Sequence, residues 1–504
     1  MNNDFRRIFK TMPWEDGEIT ENKVQEFTNE QMVDKKIDPT PQNAHASDKK
    51  EKPKDIPAGY TYFGQFVDHD LTFDETALAS AAGLTHGGTL NLRTPVLDLD
   101  SVYQGKITNH RFDFDKRVST FRDPDGNISN FQGSDGKPIM VRDLPRSSDG
   151  KANIGDPRND ENAIISQFHL AFMLTHNKIT DRLAGDEAAK FTKARRVLTW
   201  LYHWVIRHDF LPKIIREDII KLAFDNDLTN INKKTATVDF GFEGFQIPAE
   251  FAFAAYRFGH SMVRDSYQTN NSDAAGFGNF IPIFDAVSAD DLKGNRRMTL
   301  RKVVQWDWFL KMTSSAESFF PQKAMPINTT LSRALSELER DGDLKHINNF
   351  LAARNILRGI RVGMPKASSV VNELNTFLHA LDSKAPQAEF INGDDKNKNM
   401  IESLWYYILL EAEEQANKEN TEKENIKKEN AGKLGIVGSS IVAFTFAGLL
   451  KNTSNSYFNL NPSWEPDDET ASGALLGDDK KDDKDWSLAS IIRLSSLPVS
   501  GEDF

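Results

Sequence analysis

The sequence predicts a mainly α-helical protein. Long stretches place apolar residues at helical spacing, strand-like segments are scarce, and the most apolar run has the length of a buried helix. Asn159 to Leu183 is the clearest stretch, with Ile164, Ile165, Phe168, Phe172 and Ile179 at helix-compatible positions. A second runs from about Lys190 to Ile214 and carries Trp200, Leu201, Trp204, Val205 and Ile206. FEGFQI at 242–247 and IMVRDL at 139–144 are the short strand candidates.

The remaining segments follow in order. Residues 1–55 are polar and end in HASDKKEKPKD, a composition that buries little surface and reads as a flexible N-terminal segment. Residues 107–157 read as loops, because DPDG, GSDGK and SSDGK are turn clusters. Residues 411–433 contain the pentad repeat NKEN-TEKEN-IKKEN. Five residues turn a helix through roughly 500°, so no apolar stripe accumulates and the repeat reads as a solvated insertion. GIVGSSIVAFTFAGLL, Gly435 to Leu450, is 16 residues long, short of the ~20 that span a bilayer, and reads as a buried helix. An acidic stretch, GDDKKDDKD, leads into the amphipathic WSLASIIRLSSL.

Composition excludes several functions. The 504 residues include no cysteine, which removes disulfide scaffolds, thiol nucleophiles, thiolate-ligated haem and iron–sulfur clusters. A net charge of −12 leaves no basic excess for duplex nucleic acid. The mean hydropathy of −0.53 fits a soluble protein without a transmembrane anchor. MNNDFRRIFKTMPWEDGEIT has no apolar core of a signal peptide, so the expectation is a cytoplasmic or non-classically exported protein.

Five constellations could carry chemistry. In Tyr60-TYFGQFVDHDLTF-Asp74, His69 lies between Asp68 and Asp70 in an apolar segment. On a helix, neighbours point about 100° apart, so each of the three must face a different partner. His69 could shuttle a proton, Asp68 could reach a neighbouring group, and Asp70 could face a cation. A solvated acidic turn is the commoner reading of an isolated Asp-His-Asp, but buried carboxylates need compensation. In Thr94-PVLDLDSVY-Tyr103, the oxygens of Thr94, Asp98 and Asp100, with the carbonyl of Val96, suit a hard cation such as Ca²⁺. A surface turn is again the commoner source of such a pattern. In Gly155-DPRNDE-Glu161, Arg158 and Glu161 are three apart and share a face, although an ordinary surface ion pair would look the same. In Ala255-YRFGHSMV-Val263, His260 follows Gly259 where a flat ligand could approach closely. In Asn355-ILRGIRVGMP-Pro365, Asn355 is a plausible acceptor for a ligating histidine. His169 and His176, seven apart, stack on one helix face, and packing is the simpler reading than a metal pair. His86 and His110 sit in loop-like, solvated sequence.

In this order, GQFVDHDLTF, TPVLDLDSVY, GDPRNDE with HLAFMLTHNKITDRL, YRFGHS, NILRGIRVGMP and IVAFTFAGLL with NLNPSW resemble the animal-type haem peroxidase superfamily. The resemblance covers about residues 56–495, read as one domain interrupted at 411–433 and followed by a tail, 496–504. It implies a mainly α fold with haem buried between core helices, and a disulfide-free, bacterial-type member that answers oxidative stress. Under the resemblance His69 is the distal histidine, Arg158 the distal arginine, and Gln65 lines the peroxide and halide site. His260 is the proximal iron ligand, with Asn355 accepting from its other ring nitrogen. Asp70, Thr94, Val96, Asp98 and Asp100 match a calcium loop. Asp68 and Glu161 stand where many members form ester links to haem b, and Arg257 and Arg358 match basic residues beside the haem and its carboxylates.

The activity so implied is reduction of hydrogen peroxide through a high-valent oxo-iron centre, with oxidation of a small organic donor, a halide or thiocyanate. Asn162 replaces the methionine that some defence enzymes link to haem, which argues against efficient chloride oxidation. Arg257 occupies the position of the radical tyrosine of the fatty-acid oxygenase branch, and Tyr256 is off by one. The rival expectations are a fatty-acid dioxygenase of the same fold and a non-catalytic haem- or calcium-binding interaction protein. The resemblance carries no oligomeric state.

Overall fold

The computed structural model describes residues 5–10, 19–34, 55–73, 91–118, 120–122, 128–130, 140–226, 238–240, 245–270, 280–285, 290–312, 321–336, 350–393, 398–421, 430–466 and 486–497. His86, the DPDG and GSDGK clusters, Asp74, much of the pentad repeat and the acidic GDDKKDDKD stretch lie outside them.

Ten helices frame the described chain: α1 (Glu21–Gln31), α2 (Gly59–Leu71), α3 (Ala163–Arg182), α4 (Glu187–Val205), α5 (Glu217–Asp225), α6 (Leu351–Arg361), α7 (Ala367–Leu381), α8 (Leu404–Thr421), α9 (Ile436–Asn452) and α10 (Leu488–Ser495). Among the described residues strands are confined to four two-stranded antiparallel ribbons, β1 (Ile107–Thr108) with β2 (Arg111–Phe112), β3 (Asp115–Val118) with β6 (Met140–Asp143), β4 (Thr120–Arg122) with β5 (Ile128–Asn130), and β7 (Ser266–Gln268) with β8 (Phe280–Pro282). The IMVRDL strand is therefore present as β6. The described part of FEGFQI, 245–247, lies outside the strands. The segment read as loops carries six short strands, because ribbons of two to four residues leave too little alternation to see in sequence.

Helix α3 is the central element, packed by α2, α4 and α10. It starts at Asn162, whose side-chain oxygen accepts from the N–H groups of Ile164 and Ile165. It is buried nearly all round, so its sequence is apolar on several faces. Beyond α4 the chain passes through a π turn, Ile206–Phe210, where Asp209 accepts from Tyr60 of α2 at 2.8 Å and from the Leu488 N–H of α10 at 2.8 Å. The apolar run becomes α9, buried as expected. Its start is capped by Glu411 of α8, which accepts from the Val437 and Gly438 N–H groups. A side chain at Gly435 would collide with that carboxylate.

Two boundaries change. Within 1–55, Phe5, Ile8, Phe9, Val24 and Phe27 are buried, and the 5–10 segment is laced into the core by Glu250, which accepts from the N–H groups of Ile8 and Phe9. A few apolar anchors outweigh the polar average. Residues 411–418 continue α8 rather than opening an insertion, with Glu411 and Ala412 buried.

Candidate active site

Helix α2, the 3₁₀ turn Pro157–Asp160 and the 3₁₀ segment Ala255–Met262 enclose a cavity of about 1110 Å³. Gln65, Asp68, His69, Arg158, Glu161, Arg257 and His260 all line it. Three separated motifs therefore meet at one space.

One wall carries His69 and Arg158. His69 is buried, and its Nδ1 lies 2.8 Å from Asn159 Oδ1. With the amide oxygen facing the ring, as here, it can only accept, which places the hydrogen on Nδ1 and a lone pair on Nε2 in this arrangement. Burial, then the charge of Arg158, lowers the His69 pKa to about 3, so the ring is neutral near pH 7. Arg158 is held by Asp156, through Nε at 3.1 Å and Nη2 at 2.8 Å, and donates to the His69 carbonyl at 3.0 Å. Burial alone would raise the Asp156 pKa, but Arg158 and Arg93 keep the carboxyl below its usual range. Gln65 lies between Glu161, to which its Nε2 donates, and Asn162, from which it accepts at 3.3 Å. The half-buried Asp68 carboxyl accepts from Thr72 Oγ1 at 2.9 Å, and desolvation raises its pKa against the pull of Arg158.

Another wall carries His260, whose pKa is lowered to about 3 by burial, then by Arg257 and Arg354. Its bond to Asn355 exists with the sense reversed from the expectation. Arg257 Nη1 donates to Asn355 Oδ1 at 2.9 Å, which leaves the amide nitrogen facing His260 Nδ1 at 2.9 Å. A guanidinium has no acceptor, so it claims the carbonyl and turns the NH₂ toward the ring. Arg358 does not line the cavity; Arg354, one turn earlier on α6, does, together with Arg333.

The proposed calcium loop is only partly assembled. Asp70 accepts from the N–H groups of Leu99 at 3.1 Å and Ser101 at 3.4 Å. Burial and then Asp98 push its pKa up to about 8, and burial and then Asp100 push Asp98 up to about 6. Asp100 is turned toward Arg195 and Gln104, and Thr94 is exposed, its carbonyl bonded to the Val96 N–H. Among the described residues no three histidine, cysteine, aspartate or glutamate side chains are disposed to hold a metal ion. His169 bonds Asn159 and His176 bonds Tyr103, so these histidines do not pair.

A haem fits the donor set of the cavity. His260 and His69 both border it, Gly259 leaves open space beside His260, and the buried Tyr256 hydroxyl at its edge has no hydrogen-bond partner. Sequence reasoning missed Asp156, Asn159, Thr72, Arg333 and Arg354. Asp156 and Asn159 flank Arg158 in GDPRNDE, and an orienting role was the one available signal for them.

The structure resembles peroxidase A from Dictyostelium discoideum, with a TM-score of 0.54, 13% identity, and 90% of this chain and 88% of that chain covered. It also resembles the Oryza sativa fatty acid alpha-dioxygenase, with a TM-score of 0.50, 13% identity and coverage of 99% and 80%. At such identities these likenesses show the fold alone. In sequence, the chain is 26% identical over 328 residues to a Drosophila melanogaster chorion peroxidase, covering 60% of this chain and 36% of the relative. It is 26% identical over 201 residues to the Caenorhabditis elegans peroxidase mlt-7, covering 37% and 26%. The matched stretch thus spans only 36% and 26% of the length of these two curated relatives. The family model described as animal haem peroxidase matches residues 77–376, more than half of the chain, a span that holds Arg158, Glu161, His260 and Asn355 and begins just after His69. The chain belongs to the animal haem peroxidase family.

Proposed function

We propose that the protein is a haem-dependent peroxidase that reduces hydrogen peroxide while oxidising a small organic donor, a halide or thiocyanate. The observation that carries this reading is the convergence of His69, Arg158 and His260 on one cavity. Haem bound there would supply the iron that takes up peroxide and stores its oxidising equivalents. His69, neutral and with Nε2 open, is suited to take the proton of entering peroxide and return it to the leaving oxygen. Arg158, fixed by Asp156, is suited to stabilise negative charge on that oxygen. His260 is the candidate to hold the iron. Ligation through Nε2 with hydrogen on Nδ1 asks for a half-turn of the Asn355 amide, so that its carbonyl accepts from the ring. Arg257, Arg333 and Arg354 offer positive charge to haem carboxylates.

Two finer elements belong to this reading. Asp68 and Glu161 border the cavity and are the candidates for ester links to haem, and acid-acetone extraction tests them: freely released haem removes the links. Asp70, whose carboxyl faces the Leu99 and Ser101 N–H groups, and the nearby Asp98 are the candidate oxygens for Ca²⁺.

Reconstitution with haem decides the main reading. The expected result is a ferric Soret band and guaiacol oxidation only with peroxide; failure to take up haem overturns it. The fatty-acid dioxygenase reading is favoured by the shared fold. Arg257 three residues before His260 opposes it, and oxygen uptake on adding a long-chain fatty acid would reverse the preference.

A further inference from the structure

A buried hydrogen-bonded chain runs from the cavity wall into the core. His69 Nδ1 lies 2.8 Å from Asn159 Oδ1, and Asn159 Nδ2 lies 3.0 Å from His169 Nδ1. Asn159 and His169 are both fully buried, at 0% exposure, and Nε2 of His169 meets no hydrogen-bonding atom. The Asn159 amide is thus the hydrogen-bonding partner of His169.

An amide has an accepting and a donating end, so such a chain has two self-consistent arrangements. In the first, Asn159 Oδ1 accepts from His69 Nδ1–H and its NH₂ donates to His169 Nδ1. In the second the amide is turned, His169 donates, and His69 must carry its hydrogen on Nε2. His69 lines the cavity and Asn159 does not, so Nε2 is the nitrogen that meets a bound ligand. Only the first arrangement leaves a lone pair there. Arg158, whose Nη2 donates to the His69 carbonyl at 3.0 Å, puts positive charge beside this ring and favours that lone pair over an N–H.

We infer that Asn159 and His169 are positioning residues that lock His69 in its Nδ1–H tautomer and so keep Nε2 open to a proton from a ligand in the cavity. This inference rests on the proposed haem-dependent reading for its consequence, though not for its geometry. The proton balance is simple. An entering H–X gives its proton to Nε2 and remains as X⁻, while Nδ1–H stays on Asn159 Oδ1. The resulting imidazolium donates from both nitrogens, and no group in the chain has to turn. In the second arrangement the same imidazolium would set Nδ1–H against the amide NH₂.

Cyanide binding reads this directly, because hydrogen cyanide must lose its proton to bind ferric haem as the anion. In the haem-loaded protein, Asn159→Leu is expected to keep the ferric spectrum and associate with cyanide about 10–100-fold more slowly. His169→Leu should slow it too. His169→Gln, which restores an acceptor for the Asn159 NH₂, should bring the rate back toward wild type. Association at the wild-type rate in Asn159→Leu or in His169→Leu overturns the inference. A second measurement needs no haem. Nitrogen-15 NMR of the histidine-labelled full chain, with His69 assigned through His69→Gln, should show Nδ1–H in the wild type. Hydrogen on Nε2 there overturns the inference. A protein that takes up no haem would instead overturn the proposed function, and the tautomer measurement would still decide this point.

Discussion

His69 and His260 border the same cavity and are both neutral, yet their surroundings suit them to different tasks. His69 gives its Nδ1 hydrogen to Asn159 and turns Nε2 to the cavity, which is what a proton acceptor needs. Replacing it by alanine should leave haem uptake intact and lower peroxide-dependent turnover by about 10²–10⁴-fold, measured as guaiacol oxidation by the haem-loaded protein. His260→Ala should instead abolish stable haem retention, seen as loss of the Soret band after gel filtration. Equal behaviour of the two variants would contradict the assigned roles. Of the side chains that orient the two histidines, Asn355 and Arg257 were named from the sequence, whereas Asn159 and Asp156 were not. Asn159 and Asp156 act through hydrogen bonds to residues 90 and 2 positions away, and only their place beside Arg158 in GDPRNDE hinted at them. Spacing reveals which residues share a helix face, not which separated residues meet.

At the scale of single elements, two buried charged groups hold helix starts and ribbons in place. Arg146, at the end of β6, pairs with Asp143 at 2.9 Å and with Asp160 at 2.6 Å, and also donates to the Gly150 carbonyl. It ties the ribbon to the turn that carries Arg158. Arg146→Ala would remove the guanidinium shared by two buried carboxylates and should cost about 3–5 kcal/mol in denaturant unfolding. Glu411 caps α9, and burial raises its pKa from 4.5 to about 7. A carboxyl whose folded pKa is raised contributes stability that is complete below pH 4.5 and is lost as pH rises through 7. The loss between pH 4.5 and pH 8 should be about 3 kcal/mol, and Glu411→Gln should remove that part of the slope. An unchanged pH profile of unfolding in the variant would contradict the assignment. Helices α3, α4 and α9 were readable because apolar spacing over five turns or so overrides local noise. The two-stranded ribbons, at two to four residues per strand, offered too few alternations.

Over the whole molecule, α2, the start of α6 and the 3₁₀ segments 157–160 and 255–262 border one cavity, and the N-terminal segment that composition marked as polar takes part in the core. Phe5 lines the cavity, Arg6 pairs with Asp239, and Glu250 accepts two backbone N–H groups of the same segment. Deleting residues 1–10 should therefore speed haem loss to apomyoglobin relative to the full chain, whereas a merely flexible arm would leave the rate unchanged. Burial, then the neighbouring Asp98, raises the pKa of Asp70, the residue after His69. If Ca²⁺ neutralises these two carboxylates, saturating Ca²⁺ at about 100 times its Kd should add roughly 2.7 kcal/mol to stability. Asp98→Asn should abolish that increment in thermal unfolding. Among the described residues no helix is long and apolar enough to cross a membrane.

Local pattern and motif order established the helical class, the long central helices, the apolar α9 and the residue types gathered at the cavity, because these depend on neighbours within a few turns. Packing alone decided the rest. It turned the Asn355 amide, substituted Arg354 for Arg358 at the cavity wall, directed Asp100 toward Arg195, and brought Phe5 to a wall some fifty residues upstream of α2. Each of these outcomes depends on competition between hydrogen-bond and packing partners far apart in the chain, and such competition is settled only once the chain is folded.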